Sequence, residues 1–75
     1  MVYSTRLLKR EDAVKLNQEA TKEDYLITVS AGPAIVDAKS LLALFALIGK
    51  EITVIAPDHL EDPNDFLRFI ARLSK

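Results

Sequence analysis

The only imidazole in the sequence belongs to His59, the one side chain whose ordinary charge change falls between pH 5 and 8. It stands in the acidic stretch Pro57-Asp58-His59-Leu60-Glu61, where an exposed loop histidine is a simpler interpretation than a catalytic one. Because the chain has one histidine and no cysteine, a multi-histidine zinc site and a thiolate metal site are excluded. A neighbouring acidic group lacks the alternating ligands and glycine of a calcium loop, so it is interpreted as charge at a helix start; its members are Glu61, Asp62 and Asp65.

The composition excludes several classes of function. Ten basic and eleven acidic residues give a net charge of −1, which argues against a nucleic-acid partner, since such proteins carry a clear positive excess. The sequence has no nucleotide-binding glycine loop and no serine-histidine-aspartate set, so it predicts no enzyme, no cofactor and no metal. The longest nearly apolar run, Leu41 to Gly49, is far shorter than the ~20 residues of a membrane span. Since the N-terminus also lacks a signal-peptide pattern, we expect a soluble cytoplasmic protein without a membrane partner.

The elements that must position these residues follow from the hydrophobic pattern, and we expect them to form one domain, residues 1–75. Alternating side chains predict four strands, which are Val2 to Leu8, Tyr25 to Ser30, Ala34 to Asp37 and Glu51 to Ala56. Helical spacing predicts helices at Lys9 to Ala20, at Lys39 to Ile48 and after the cap signal Asp62-Pro63. The order β-α-β-β-α-β-α predicts an α+β, two-layer open-faced β-sandwich, in which three helices cover one face of a four-stranded antiparallel sheet.

The same periods predict the buried face of the first and third helices. In the first helix the predicted core residues are Ala13, Leu16 and Ala20. In the third helix they are Phe66, Phe69, Ile70 and Leu73. The opposite side of the third helix is predicted to face water; its residues are Asn64, Arg68, Arg72 and Lys75.

The second helix is apolar on nearly every side, although a surface helix of a small domain normally has a polar face. One face must pack on the sheet, so the other apolar side chains are expected to form an exposed partner-binding patch drawn from Leu41, Leu44, Phe45 and Ile48. A protein partner, a homodimer through this helix and complete burial of the helix all agree with the pattern. The sequence leaves these three alternatives open.

The stretch Val36-Asp37-Ala38-Lys39-Ser40-Leu41-Leu42-Ala43-Leu44, set within this order of elements, resembles the HPr family. HPr proteins are the small phosphocarriers of the bacterial phosphoenolpyruvate-dependent sugar phosphotransferase system. Ala38-Lys39-Ser40 is similar to the family's motif at the start of its second helix. The strand Ile52 to Ala56, an acidic loop and a C-terminal amphipathic helix continue the resemblance, which spans roughly Leu26 to Leu73. The resemblance implies an HPr-like fold.

The resemblance fails where the family keeps its phosphate-accepting histidine, in a Gly-Leu-His-x-Arg-Pro-Ala segment that opens the first helix. Counting back from Ser40 without gaps, this segment falls on residues 7–13. Lys9 then takes the histidine position and Glu11 the arginine position. A phosphocarrier needs a nucleophile that is neutral near pH 7, whereas an exposed lysine side chain is protonated there and has no free lone pair.

The resemblance and this departure together imply an HPr-like protein related to the phosphotransferase system that is not itself a histidine phosphocarrier. It is expected to act as a binding or regulatory module through its second helix, because in HPr the exposed side chains of that helix dock Enzyme I, the sugar permeases and regulators. Its partners are then expected to be components of the phosphotransferase system. Two alternatives stay open: phosphotransfer through another residue, His59, and a small α+β scaffold with an unrelated binding function.

Two further sites follow from the resemblance. Ser40 aligns with the serine that HPr kinase phosphorylates in some HPr proteins, and the alternative is a serine that only caps the helix. If the HPr arrangement holds, a basic cluster is expected around the vacated position and is suited to an anion or an acidic partner; it comprises Arg6, Lys9, Arg10 and Lys39. Four solvated surface charges are an equally good interpretation.

Overall fold

A computed structural model describes residues 2–58 and 62–73 of the chain, with residues 4–6 described by their backbone alone. The strands are β1 (Val2–Leu7), β2 (Thr28–Ala31), β3 (Ala34–Asp37) and β4 (Glu51–Ile55). The helices are α1 (Arg10–Thr21), α2 (Leu41–Phe45) and α3 (Asn64–Leu73). The predicted order of elements is confirmed. No helix in these two ranges is long and apolar enough to cross a bilayer.

The four strands form one antiparallel sheet in the spatial order β1-β4-β2-β3. Val54 of β4 lies opposite Tyr3 of β1 and opposite Val29 of β2, so the three side chains point to the same side of the sheet. Ile52 and Val54 are buried on that side. The helices contribute the other half of one hydrophobic core, which confirms the predicted α+β open-faced sandwich.

The turns and caps that shape the chain follow local rules. Gly32 has φ +58° in the two-residue turn between β2 and β3, a conformation that favours glycine. At the start of α3, Asp62 Oδ1 accepts a hydrogen bond from the Asn64 amide at 2.9 Å, as the predicted cap requires. The predicted core residues Ala13, Leu16 and Ala20 of α1 are all buried.

The helix α2 is shorter than the predicted Lys39 to Ile48. Before it, the Lys39 amide donates to Asp37 Oδ1 at 2.9 Å, and this turn keeps Lys39 out of the helix. After it, the Leu47 amide donates to the Leu44 carbonyl at 2.9 Å, three residues back, which is the tighter 3₁₀ pattern. Gly49, with φ +87°, then ends the turn as predicted.

Candidate functional site

Lys9, the residue counted onto the phosphohistidine position, is exposed at the N-cap of α1 with extended backbone angles. Its carbonyl accepts the first helical hydrogen bond, from the Ala13 amide at 3.0 Å. Its own amide donates to Asp12 Oδ2 at 3.3 Å. The Asp12 carboxylate therefore accepts the hydrogen bond of the N-cap amide. At a helix start without such a carboxylate, this amide could bind an external anion.

The electrostatics of this helix start are mixed. Glu11 and Asp12 lie in the first turn of α1, and both are exposed beside Lys9. Carboxylates are favourable here because the helix dipole places partial positive charge at the N-terminus. The same carboxylates repel an approaching phosphoryl dianion and offset part of the attraction of the neighbouring basic side chains.

Two backbone hydrogen bonds join the segment before α1 to the turn that follows α2. The Leu8 amide donates to the Lys50 carbonyl at 2.9 Å, and the Gly49 amide donates to the Leu8 carbonyl at 2.8 Å. These bonds bring the exposed Lys50 close to Lys9. Sequence reasoning missed Lys50, since the contact joins two segments far apart in the chain and leaves no local pattern.

The expected basic cluster of Arg6, Lys9, Arg10 and Lys39 is only partly assembled. Lys9 and Arg10 adjoin at the start of α1 and are exposed, while the side chain of Arg6 lies outside the described residues. Lys39 lies just before the start of α2, whereas Lys50 follows its end. Beside Lys39, the carbonyl of the preceding residue, Ala38, accepts a hydrogen bond from Asn17 Nδ2 at 3.3 Å. Asn17 is about 12 Å further along α1 than Lys9. The inclusion of Lys39 in the cluster is therefore wrong.

The predicted exposed patch of the second helix also needs correction. Leu44 is fully buried, with 0% of its surface exposed, and Leu41 and Phe45 are partly buried. Ile48 is 39% exposed, as expected.

The most exposed apolar residue of α2 is one that the predicted patch left out: Leu42 is 83% exposed. Because residues of a helix are about 100° apart, the side chain two positions from the buried Leu44 points away from the core. The sequence does not indicate which of the two leucines is exposed, because every position of this apolar run has the same hydrophobic character.

Ser40 is exposed and occupies the N-cap position of α2, but its hydroxyl makes no cap hydrogen bond. Its amide donates to the Asp37 carbonyl at 2.9 Å, so the backbone of Asp37 holds the turn instead. Ser40 is therefore the N-cap of α2 by position, as the alternative interpretation expects, but its side chain does not contribute to the cap. Phosphorylation of Ser40 stays a prediction.

No family model and no curated protein matches the sequence. Solved structures do match. The histidine-containing phosphocarrier protein of Mycoplasma is 26% identical with a TM-score of 0.71, over 99% of this chain and 88% of that chain. The phosphocarrier protein HPr from Bacillus anthracis is 18% identical with a TM-score of 0.70, over 96% of this chain and 94% of that chain.

The chain is HPr-like. HPr-C-His from Thermoanaerobacter tengcongensis has the same fold, with 17% identity, a TM-score of 0.67 and coverage of 100% of this chain and 94% of that chain. The HPr-like fold that the resemblance implies is confirmed. The vacated histidine position at Lys9 rests on the count from Ser40 and stays a prediction. His59 lies outside the described residues.

Proposed function

We propose that this HPr-like protein is a binding module of the bacterial phosphotransferase system and carries no phosphoryl group on histidine. The observation that supports this most is the helix start at Lys9, where the Asp12 carboxylate accepts the hydrogen bond of the Lys9 amide. The proposed setting is the cytoplasm, and residues 1–75 are proposed to form one domain.

The chemistry of Lys9 argues against phosphoryl relay. A protonated amine has no lone pair with which to attack phosphorus, whereas a neutral imidazole has one. The neighbouring carboxylates of Glu11 and Asp12 add repulsion to an incoming phosphoryl group. Both effects act in the same direction, so the proposed module does not accept phosphate at this position.

Hydrogen bonds and strand pairing place the two ends of β4 relative to Lys9. The carbonyl of Lys50 accepts a hydrogen bond from Leu8, next to Lys9. The strand β4 then runs to Ile55, which pairs with Val2 at the other end of β1. Five strand residues span about 17 Å. β4 therefore leads the chain away from Lys9, and phosphotransfer through His59 stays an alternative.

The docking surface that we propose consists of the exposed residues Leu42, Ile48, Lys9, Arg10 and Lys50. Its apolar part lies on α2 and the turn after it, and its basic part lies where the start of α1 meets that turn. An apolar contact flanked by positive charges suits a protein partner with an apolar patch and acidic side chains. Enzyme I is the partner to test first.

Phosphoryl transfer is tested with radiolabelled phosphoenolpyruvate, Enzyme I and the wild-type chain, with an authentic HPr as the positive control. We expect no acid-labile label on the wild type. Acid-labile label on the wild type would overturn the loss of relay, and its disappearance in His59→Ala would identify His59 as the carrier. A Lys9→His, Glu11→Arg variant tests whether Lys9 occupies the position of the phosphohistidine. Acid-labile label on this variant would show that the count from Ser40 is correct.

Docking is tested by isothermal titration calorimetry of Enzyme I with the wild type, Leu42→Glu and the matched control Leu67→Glu. Leu67 is an exposed leucine of α3, a helix that contributes no residue to the proposed docking surface. We expect at least tenfold weaker binding for Leu42→Glu and no change for Leu67→Glu. Equal binding of Enzyme I by both variants would contradict the proposed docking surface. If Leu42→Glu instead turns a wild-type dimer into a monomer in analytical ultracentrifugation, the homodimer alternative is correct.

A further inference from the structure

The backbone of Ala38, just before α2, is held from two sides. Its amide donates to the Ile27 carbonyl at 2.9 Å, beside the first pair of strands β2 and β3. Its carbonyl accepts a hydrogen bond from Asn17 Nδ2 of α1 at 3.3 Å. Ala38 is completely buried, so this carbonyl has no access to bulk water, and the side-chain amide of Asn17 supplies its donor.

The helix α2 depends on such contacts for its position. It has five residues, whereas an isolated helix shorter than ~12–15 residues is marginal in water. The hydroxyl of its N-cap residue, Ser40, makes no cap hydrogen bond, and its first turn contains no acidic residue. Packing and hydrogen bonds to neighbouring elements therefore determine where α2 lies.

Hydrogen bonds connect the α2 segment to the α1 segment at two places. After α2, backbone bonds join Gly49 and Lys50 to Leu8, and these bonds need no side chain. Before α2, the side chain of Asn17 makes the connection. Asn17 lies about 12 Å further along α1 than the helix start, so the two ends of the α2 segment are held at separate points of α1.

The start of α2 is the end that a single substitution can release. Without the Asn17 amide, the Ala38 carbonyl is buried with no donor, which is costly, and it regains a partner by moving towards water. Leu42 follows Ala38 by about one helical turn and moves with it. Because Lys9 and Arg10 belong to the start of α1, this movement changes the spacing between the apolar and the basic parts of the docking surface.

We propose that Asn17 is a positioning residue of the docking surface. Its amide holds the start of α2 against α1 and thereby sets the position of Leu42 relative to Lys9. Asn17 is half-buried and acts through α2 rather than by touching the partner. The inference rests on the proposed function where it concerns docking, whereas the hold on α2 is measured without a partner.

The hold on α2 is tested by amide hydrogen exchange of the ¹⁵N-labelled chain. Asn17→Asp keeps the shape of the side chain but removes the donor, and Asn17→Ala serves if the first variant does not fold. We expect at least tenfold faster exchange at the Leu44 amide, which bonds to the Ser40 carbonyl within α2, and unchanged exchange at the Val54 amide in the sheet. Unchanged exchange at Leu44, or equal acceleration at both amides, would overturn the positioning role.

The effect on docking is measured by isothermal titration calorimetry with Enzyme I. The matched control is Gln18→Glu, which makes the same amide-to-carboxylate change at the neighbouring exposed position of α1. We expect about fivefold weaker binding for Asn17→Asp and unchanged binding for Gln18→Glu. Wild-type affinity in the Asn17 variants would overturn the inference. If the wild type itself does not bind, the proposed docking function fails, and hydrogen exchange alone decides whether Asn17 holds α2.

Discussion

Arg72 and Glu19 are 53 residues apart in the sequence, yet Arg72 Nε lies 2.6 Å from Glu19 Oε2. The same guanidinium donates to Glu23 Oε1 and lies 5.9 Å from the centroid of the Phe69 ring. Arg72, predicted to face water, is only partly exposed, with 36% of its side chain accessible; Lys75, predicted to share that face, lies outside the described residues. Because Glu19 lies in the last turns of α1 and Glu23 follows that helix, one arginine fastens α3 to α1.

Replacing Arg72 by methionine is expected to lower the Tm by up to about 5 °C. The acidic partners of Arg72 are well shielded, with 13% and 17% of their side chains exposed, so solvent screens this contact less than an ordinary surface pair. The control is Arg68→Met, which breaks more exposed ion pairs within and before α3. Thermal melts followed by circular dichroism measure both, and equal shifts would contradict the special position of Arg72.

The ion pair also predicts a pH dependence. The hydrogen bond from Arg72, followed by that from Lys22, lowers the pKa of Glu19 below its ordinary value of 4.5. A carboxyl whose pKa is lower in the folded state contributes stability above its unfolded pKa and loses it as the pH falls through the folded pKa. The Glu19→Gln variant should thus be less stable than the wild type at neutral pH and equally stable at strongly acidic pH. Urea unfolding across this range tests it, with the exposed Glu51→Gln as control.

The environment of Tyr25 predicts that the stability of the protein falls at alkaline pH. Its hydroxyl is buried and has no hydrogen-bond partner in the described part of the chain. Burial, followed by the charge of Glu23, raises the pKa of Tyr25 from 10.0 to about 12. The unfolded chain releases this proton first, so stability is present below about pH 10 and falls as the pH rises towards about 12.

The variant Tyr25→Phe should lack this part of the alkaline loss. Near neutral pH it should match the wild type or exceed its free energy of unfolding by about 1 kcal/mol, because it removes an unpaired buried hydroxyl. Urea unfolding near pH 7 and near pH 11 measures both effects, with the more exposed Tyr3→Phe as control. A Tyr25→Phe variant that loses as much stability as the wild type at high pH would refute the assignment.

The Asp12 carboxylate should stabilise the start of α1. Asp12→Ala removes the acceptor of the Lys9 amide and a favourable charge near the helix dipole, so the free energy of unfolding is expected to fall by about 0.5–1 kcal/mol. Glu11→Ala removes a charge from the same turn and is expected to cost less. Chemical denaturation compares the two, and a smaller loss for Asp12→Ala than for Glu11→Ala would show that the hydrogen bond contributes nothing.

Much of the fold could be predicted from local patterns. The period of two in Glu51 to Ile55 and the spacing of Ala13, Leu16 and Ala20 each identify one buried face, because the geometry of strands and helices is regular. The positive φ of Gly32 and the Asp62 cap follow from the chemistry of single residues. At the candidate site, Lys9 at the start of α1 and the exposure of Ile48 could be predicted in the same way.

The sequence by itself determined which residues of an element share a side and where glycine or a cap must stand. Only the tertiary structure decided that Leu44 is buried while Leu42 is exposed, that Lys50 rather than Lys39 lies near Lys9, and that Arg72 meets Glu19. A helix that is apolar on every side has no polar face to indicate which side is exposed. Packing against the neighbouring elements therefore determines which face is buried. Contacts between distant segments form only once every element is packed, and no local pattern records them.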